Sequence, residues 1–156
     1  MDTRITHVWR RALACGLAIA LIATTDAAAI FIVNEPWVRL SPNARSAEAY
    51  MQLRSTEGAT LVEVRSDATA NVEMRPPGTK RTSIREIKLP AGETVMLAPG
   101  MHRFVLASVN RPLKLGDRVA IVLTIEAVDG SRQEIPVNAE VRRRSPTDDH
   151  RRGHSH

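Results

Sequence analysis

The strongest constraint on this chain is a strict two-residue alternation of apolar and polar side chains. In residues 117–128 (DRVAIVLTIEAV), Val119, Ile121, Leu123, Ile125 and Ala127 fall on one face. That period fits a half-buried β-strand, whereas helical apolar residues recur every three to four positions. Asp129-Gly130 follows, a pair that tight hairpin turns prefer. Residues 133–141 (QEIPVNAEV) then repeat the alternation with Ile135, Val137, Ala139 and Val141. Pro136 lacks the N–H that a central strand donates, so it marks this strand as an edge or a bulge.

Shorter runs keep the same rhythm at 30–34, 37–40, 48–54, 60–65, 71–74, 84–89, 94–98 and 102–109. Turn formers separate them, among them Ser41-Pro42-Asn43, Pro76-Pro77-Gly78, Pro99-Gly100 and Leu115-Gly116-Asp117. Many short strands at spacings of about 8–12 residues predict an all-β sandwich or barrel. No segment repeats at a fixed period.

The first 29 residues read as an address. Arg4, Arg10 and Arg11 precede an apolar run over residues 12–23 (ALACGLAIALIA), and Ala27 and Ala29 supply an A-x-A site. This is the pattern of a secretory signal peptide. Twelve apolar residues fall short of the roughly 20 that a membrane span needs. The alternative is an uncleaved N-terminal anchor. Cleavage after Ala29 leaves 127 residues with no transmembrane segment. The chain's single cysteine, Cys15, lies inside the apolar run. It comes too early for a lipoprotein signal, which would also want Leu where Ala12 stands. The mature chain is therefore expected to be cysteine-free and periplasmic, a compartment that would oxidise stray thiols.

Residues 142–156 (RRRSPTDDHRRGHSH) offer no apolar face to bury and are expected to be a disordered tail. The expected organisation is thus a signal peptide over 1–29, one β-domain over 30–141 and a basic, His-containing tail over 142–156.

Three segments carry a resemblance. Residues 34–55 (NEPWVRLSPNARSAEAYMQLRS), with Trp37 and Arg39, resemble the opening of the PCu(A)C-type periplasmic copper chaperones. Residues 89–102 (LPAGETVMLAPGMH) resemble that family's I-P-A-G-G-T-V-x-L-x-P-G-G-x-H, and residues 113–130 resemble its L-x-x-G-D-x-V-x-L-T-L-x-F segment. The resemblance covers about residues 32–141. It implies a cupredoxin-like (Greek-key) β-sandwich, the same all-β class that the alternation predicts. It also implies Cu(I) held by two His and two Met, with delivery to a respiratory oxidase. Imidazole and thioether donors suit this soft ion.

The residues depart from that ligand pattern. His102 stands at the second His place, but Phe104 replaces the Met two positions on. Arg75 follows Val72-Glu73-Met74 where the first His belongs. A rebuilt site could join Met74, Met101 and His102 for Cu(I), if irregular backbone after Pro99-Gly100 turns Met101 and His102 the same way; successive strand residues otherwise face opposite sides. Met74 as core filler is the alternative. In the tail, His150, His154 and His156 form a second candidate set, for Cu(II). Trp37 is expected to anchor the core, with Arg39 paired on the strand surface.

Two functions follow. One is a periplasmic copper-chaperone-like protein that binds copper weakly or through altered ligands and assists oxidase copper-site assembly, with an oxidase subunit or another copper carrier as partner. The other is an interaction module of the same family that has lost the metal. Aromatic residues make up 3% of the chain, too few for stacking on bases, so no nucleic-acid partner is expected. Ser108, Ser131 and Ser145 lie in no nucleophile context and His102 has no visible acid–base partner, so no enzyme is expected. A monomer is expected.

Overall fold

A computed structural model describes residues 29–43, 45–78 and 81–146. Residues 1–28 of the expected signal peptide, with Cys15, and the tail histidines lie outside the described residues. Within them the regular elements are β1 (Phe31–Leu40), β2 (Ala47–Ser55), β3 (Ala59–Ser66), β4 (Asn71–Arg75), β5 (Ile87–Leu89), β6 (Thr94–Leu97), β7 (Arg103–Ala107), β8 (Arg118–Ala127) and β9 (Arg132–Val141). Among the described residues, no helix is long and apolar enough to cross a membrane.

The alternating segments form the hairpin β8–β9. Its register sets Val119 opposite Ala139, Ile121 opposite Val137 and Leu123 opposite Ile135. Cross-strand partners share a face, so one apolar stripe faces inward. The Asp129 carboxylate accepts from Ser131 N–H at 2.9 Å and from its hydroxyl at 2.6 Å, fixing the turn.

The strands follow one hydrogen-bonded path, β4-β7-β2-β1-β9-β8-β3-β5, with β6 added on β2. Neighbours are antiparallel except β1 and β9, which pair in parallel over Trp37–Val38 and Glu140–Val141. The path wraps around a single core. Val38, Ala49, Met51, Leu53, Phe104 and Leu106 come from one half; Leu61, Leu89, Ile121, Leu123, Val137 and Ala139 come from the other. This is the all-β sandwich that the alternation predicts.

Several details differ from the sequence reading. Runs 30–34 and 37–40 join as one strand, β1, with an irregularity between Asn34 and Trp37 and a left-handed Glu35 (φ 49°). An extra residue in one strand reverses which alternate side chains face inward. Phe31 and Val33 pack toward the core before the irregularity, and Val38 does so after it. Trp37 therefore lies on the opposite face from the core it was expected to anchor. It is nonetheless only 5% exposed. Run 84–89 shrinks to β5, and 102–109 shrinks to β7. Pro136 sits in the middle of the strand order, but that part of β9 has only β8 as a ladder partner, so it is locally an edge. Residues 142–146, expected to begin the tail, lie against the sheet: Arg142 N–H donates to Val38 O at 2.8 Å.

Phe104 is completely buried and paired with both Ala49 and Met74. Phe104→Ala should lower unfolding free energy by about 3–5 kcal/mol, measured by urea denaturation. A loss under about 1 kcal/mol would mean this ring does not fill the core.

Candidate metal site

β6 and β7 share one edge of β2. Thr94–Leu97 pair with Met51–Arg54, and Phe104–Leu106 pair with Ala47–Ala49. Between them residues 98–102 leave the edge as a turn. Met101 N–H donates to Ala98 O at 2.9 Å and Ala98 N–H to His102 O at 3.1 Å. Gly100 adopts φ 84°, a conformation costly for residues with a Cβ. On the other side of β7 lies β4, with Met74 opposite Phe104 and Arg75 opposite Arg103. Beyond Arg75 the chain turns through Pro76-Pro77-Gly78, and Gly78 N–H donates to Gly100 O at 3.0 Å. The two segments that carry the candidate ligands thus abut.

Met101 and His102 follow one another on this turn, and His102 forms an isolated bridge with Leu97. Met101 is 46% exposed. His102 is half-buried, and burial lowers its pKa, favouring the neutral imidazole with a free lone pair. Met74 is different. It faces inward with Phe104 and is 8% exposed, packed in the core cluster. The fold brings its backbone close to the turn, but its thioether fills the core. Arg75 alternates with Met74 and so faces outward, where its guanidinium pairs with Glu73. Phe104, at the other replaced place, belongs to the core. Among the described residues no group of three His, Cys, Asp or Glu could hold a metal. His150, His154 and His156 lie outside the described residues.

The sequence reading missed Arg103. Its guanidinium is nearly buried and donates to Pro76 O at 3.2 Å and Gly78 O at 3.0 Å. Its Nε lies 3.3 Å from a Glu48 carboxylate oxygen. One side chain therefore clips the 76–78 corner onto β7 beside the turn. Glu48 also accepts from Arg39 at 2.6 Å and from the Tyr50 hydroxyl. Tyr50 stacks on Trp37, with ring centroids 4.7 Å apart, and Arg39 lies over its ring at 5.3 Å. Burial pushes the Glu48 carboxyl up. The hydrogen bonds from Tyr50 and Arg39 and the charges of Arg39 and Arg103 outweigh it, leaving the pKa below its ordinary value. Burial first, and then the bond to Glu48, push the Tyr50 phenol up. Both groups keep the protonation state that holds the network together.

Comparisons with known proteins agree with this architecture. A family model described as "Putative lipoprotein LpqE-like" matches residues 31–141. A protein of Leifsonia xyli subsp. xyli, described as a putative lipoprotein, is 27% identical over 113 residues, or 67% of this chain and 66% of its own length. The chain thus spans just under two thirds of that relative. Among solved structures, the apo PCuAC domain from PmoF1 superposes with TM-score 0.62 at 19% identity, covering 72% of this chain and 92% of that one. The copper-bound PCuAC domain from PmoF2 gives 0.60 at 21%, over 71% and 91%. The Cu(I) form of DR1885 from Deinococcus radiodurans gives 0.61 at 23%, over 76% and 83%. At these identities the likeness is one of fold, and the fold is that of PCuAC domains.

Two titrations check the electrostatics. The Glu48 carboxylate has a depressed pKa in the fold, so its stabilisation is present above its unfolded value and is lost as pH falls through the folded one. Wild-type stability should therefore drop below about pH 4.5, and Glu48→Gln should flatten that limb; parallel pH profiles would refute the role given to Glu48. The His102 imidazole should titrate below 6.5 when followed by NMR, and a midpoint above that value would contradict its burial.

Proposed function

This chain belongs to the LpqE-like family, and on that premise we propose that it is an extracytoplasmic copper-chaperone-like protein that carries Cu(I) on altered ligands. The observation that carries this reading is the turn 98–102. It carries an exposed thioether and a half-buried imidazole, held toward the neutral form by burial, on consecutive residues, at the place where the chain resembles the copper-chaperone motif. Both donors are soft enough for Cu(I) and neither requires a thiolate. Copper is cargo in this reading; the PmoF2 domain and DR1885 are themselves copper-bound in their own structures.

The donor set also argues for weak binding. Arg75 is held by Glu73, Phe104 is core and Met74 is core. Of the described candidate ligands two, His102 and Met101, remain on the surface, where a tight Cu(I) site of the resembled family would use four. Weak, accessible binding suits a carrier that must release its cargo to another copper carrier or to an oxidase subunit. The tail histidines would add a Cu(II) site. A signal peptide over residues 1–29 would place the domain in the periplasm.

A specific observation favours the second reading as well. Arg103 already joins the two loops through the carbonyls of Pro76 and Gly78. A cation is thus not needed to hold them together, and an interaction module without metal would keep the same shape.

Cu(I) titration against a competing chelator separates the two. The wild-type protein should bind at least about tenfold more tightly than His102→Ala, the equivalent of about 1.4 kcal/mol. Met101→Ala should fall between them. Equal affinity of wild type and His102→Ala would refute copper carriage by the folded domain.

A further inference from the structure

We propose that the end of the sandwich around Leu115 is a docking surface for an anionic lipid membrane. The turn of residues 114–117 sits against the end of β9. Gly116 N–H donates to Val141 O at 2.9 Å, Val141 N–H to Asp117 O at 2.9 Å, and the Asp117 carboxylate accepts from Lys114 N–H at 2.9 Å. Gly116 at φ 90° lets the chain reverse there. The turn so fixed holds Leu115 out at its tip, 51% exposed.

Cations ring this side chain. Leu115 and Gly116 line a cavity of about 450 Å³ with Arg142, Arg143 and Arg144. Lys114 is its neighbour in the turn, and Arg111 and Arg118 flank it through their pairs with Asp117 and Glu140, each at 3.7 Å. Against these six cations stand two carboxylates, both already shared: Asp117 also caps the turn and Glu140 also binds Arg142 at 3.0 Å. Arg143 and Arg144 have no carboxylate partner among the described residues.

The composition of the patch decides between partners. Protein interfaces put aromatic anchors at their centre and exclude charge from it. Here the centre is one aliphatic side chain inside a basic ring, with no aromatic residue lining the cavity. That pattern fits a headgroup layer, where lysine and arginine meet lipid phosphates and a single apolar tip enters the boundary. Polarity along the molecule sets the orientation. The opposite end carries Glu57 and Asp129 around its own cavity, and an anionic surface repels them.

Partition of the full chain onto vesicles of phosphatidylglycerol and phosphatidylcholine, compared with phosphatidylcholine alone, tests this. The apolar run 12–23 contributes equally in every variant, so differences between variants report the patch. R143Q/R144Q should lower partition onto the anionic vesicles on the order of 25-fold, since each basic group near such a surface is worth about fivefold. The difference should shrink in high salt. L115S should weaken partition at every salt concentration. All three substituted positions are exposed, so unfolding midpoints should match wild type. Equal partition of wild type and R143Q/R144Q overturns the proposal. So does wild type that ignores anionic vesicles but binds polyglutamate, which would assign the patch to an acidic protein.

Discussion

The division of one edge of β2 between two successive strands is the constraint on which the rest of the candidate site depends. β6 occupies the stretch from Met51 to Arg54 and β7 the stretch from Ala47 to Ala49. Because both run antiparallel to β2, the chain cannot pass from one to the other by an ordinary hairpin. It leaves the sheet for five residues and re-enters in the same direction. Strand alternation is suspended there, and neighbouring side chains can face the same region. Met101 and His102 sit on this interruption, one exposed and one half-buried.

The edge around that turn is joined by protein contacts. A loop pair joined by a metal needs donors from both loops. Here the described residues of the second loop contribute none from their side chains: Arg75 is turned outward to Glu73, and the inward place beside it is Met74, in the core. The loops are nonetheless joined, by a guanidinium whose planar fork suits several oxygen acceptors at once. Glu48 anchors that guanidinium from β2, and Tyr50 and Arg39 anchor Glu48. This network stands on the outer face of the sheet, where Arg39 lines a cavity of about 350 Å³ together with Trp37, Met96 and residues 143–145.

The β8–β9 hairpin was fully legible because its information is local. Alternation and an Asp-Gly turn act over a few residues, and the partner strand is next in sequence. The bulge in β1 was not legible. Both runs flanking it alternate correctly, and Pro36 between them, lacking a ladder N–H, marks an interruption without showing that one extra residue reverses the phase. Trp37 is buried as expected, but against Tyr50 on the other face of the sheet from the central cluster. Met74 was open at the sequence level between core and ligand, because a methionine serves either purpose; pairing with Phe104 placed it in the core. Arg103 gave no signal, since most of its partners are carbonyl groups, which every residue has.

The sequence by itself determined the class of fold, because burial of one face of each strand requires the observed alternation. It also determined which donor types exist: imidazole and thioether, but no thiolate beyond Cys15. Only the tertiary structure decided which donors meet. That depends on strand register and on one bulge, both set by contacts between segments tens of residues apart. The same long-range pairing gathered Lys114, Arg118 and residues 142–144 around Leu115. Their separation in sequence hides a surface that exists only once β8 and β9 are aligned.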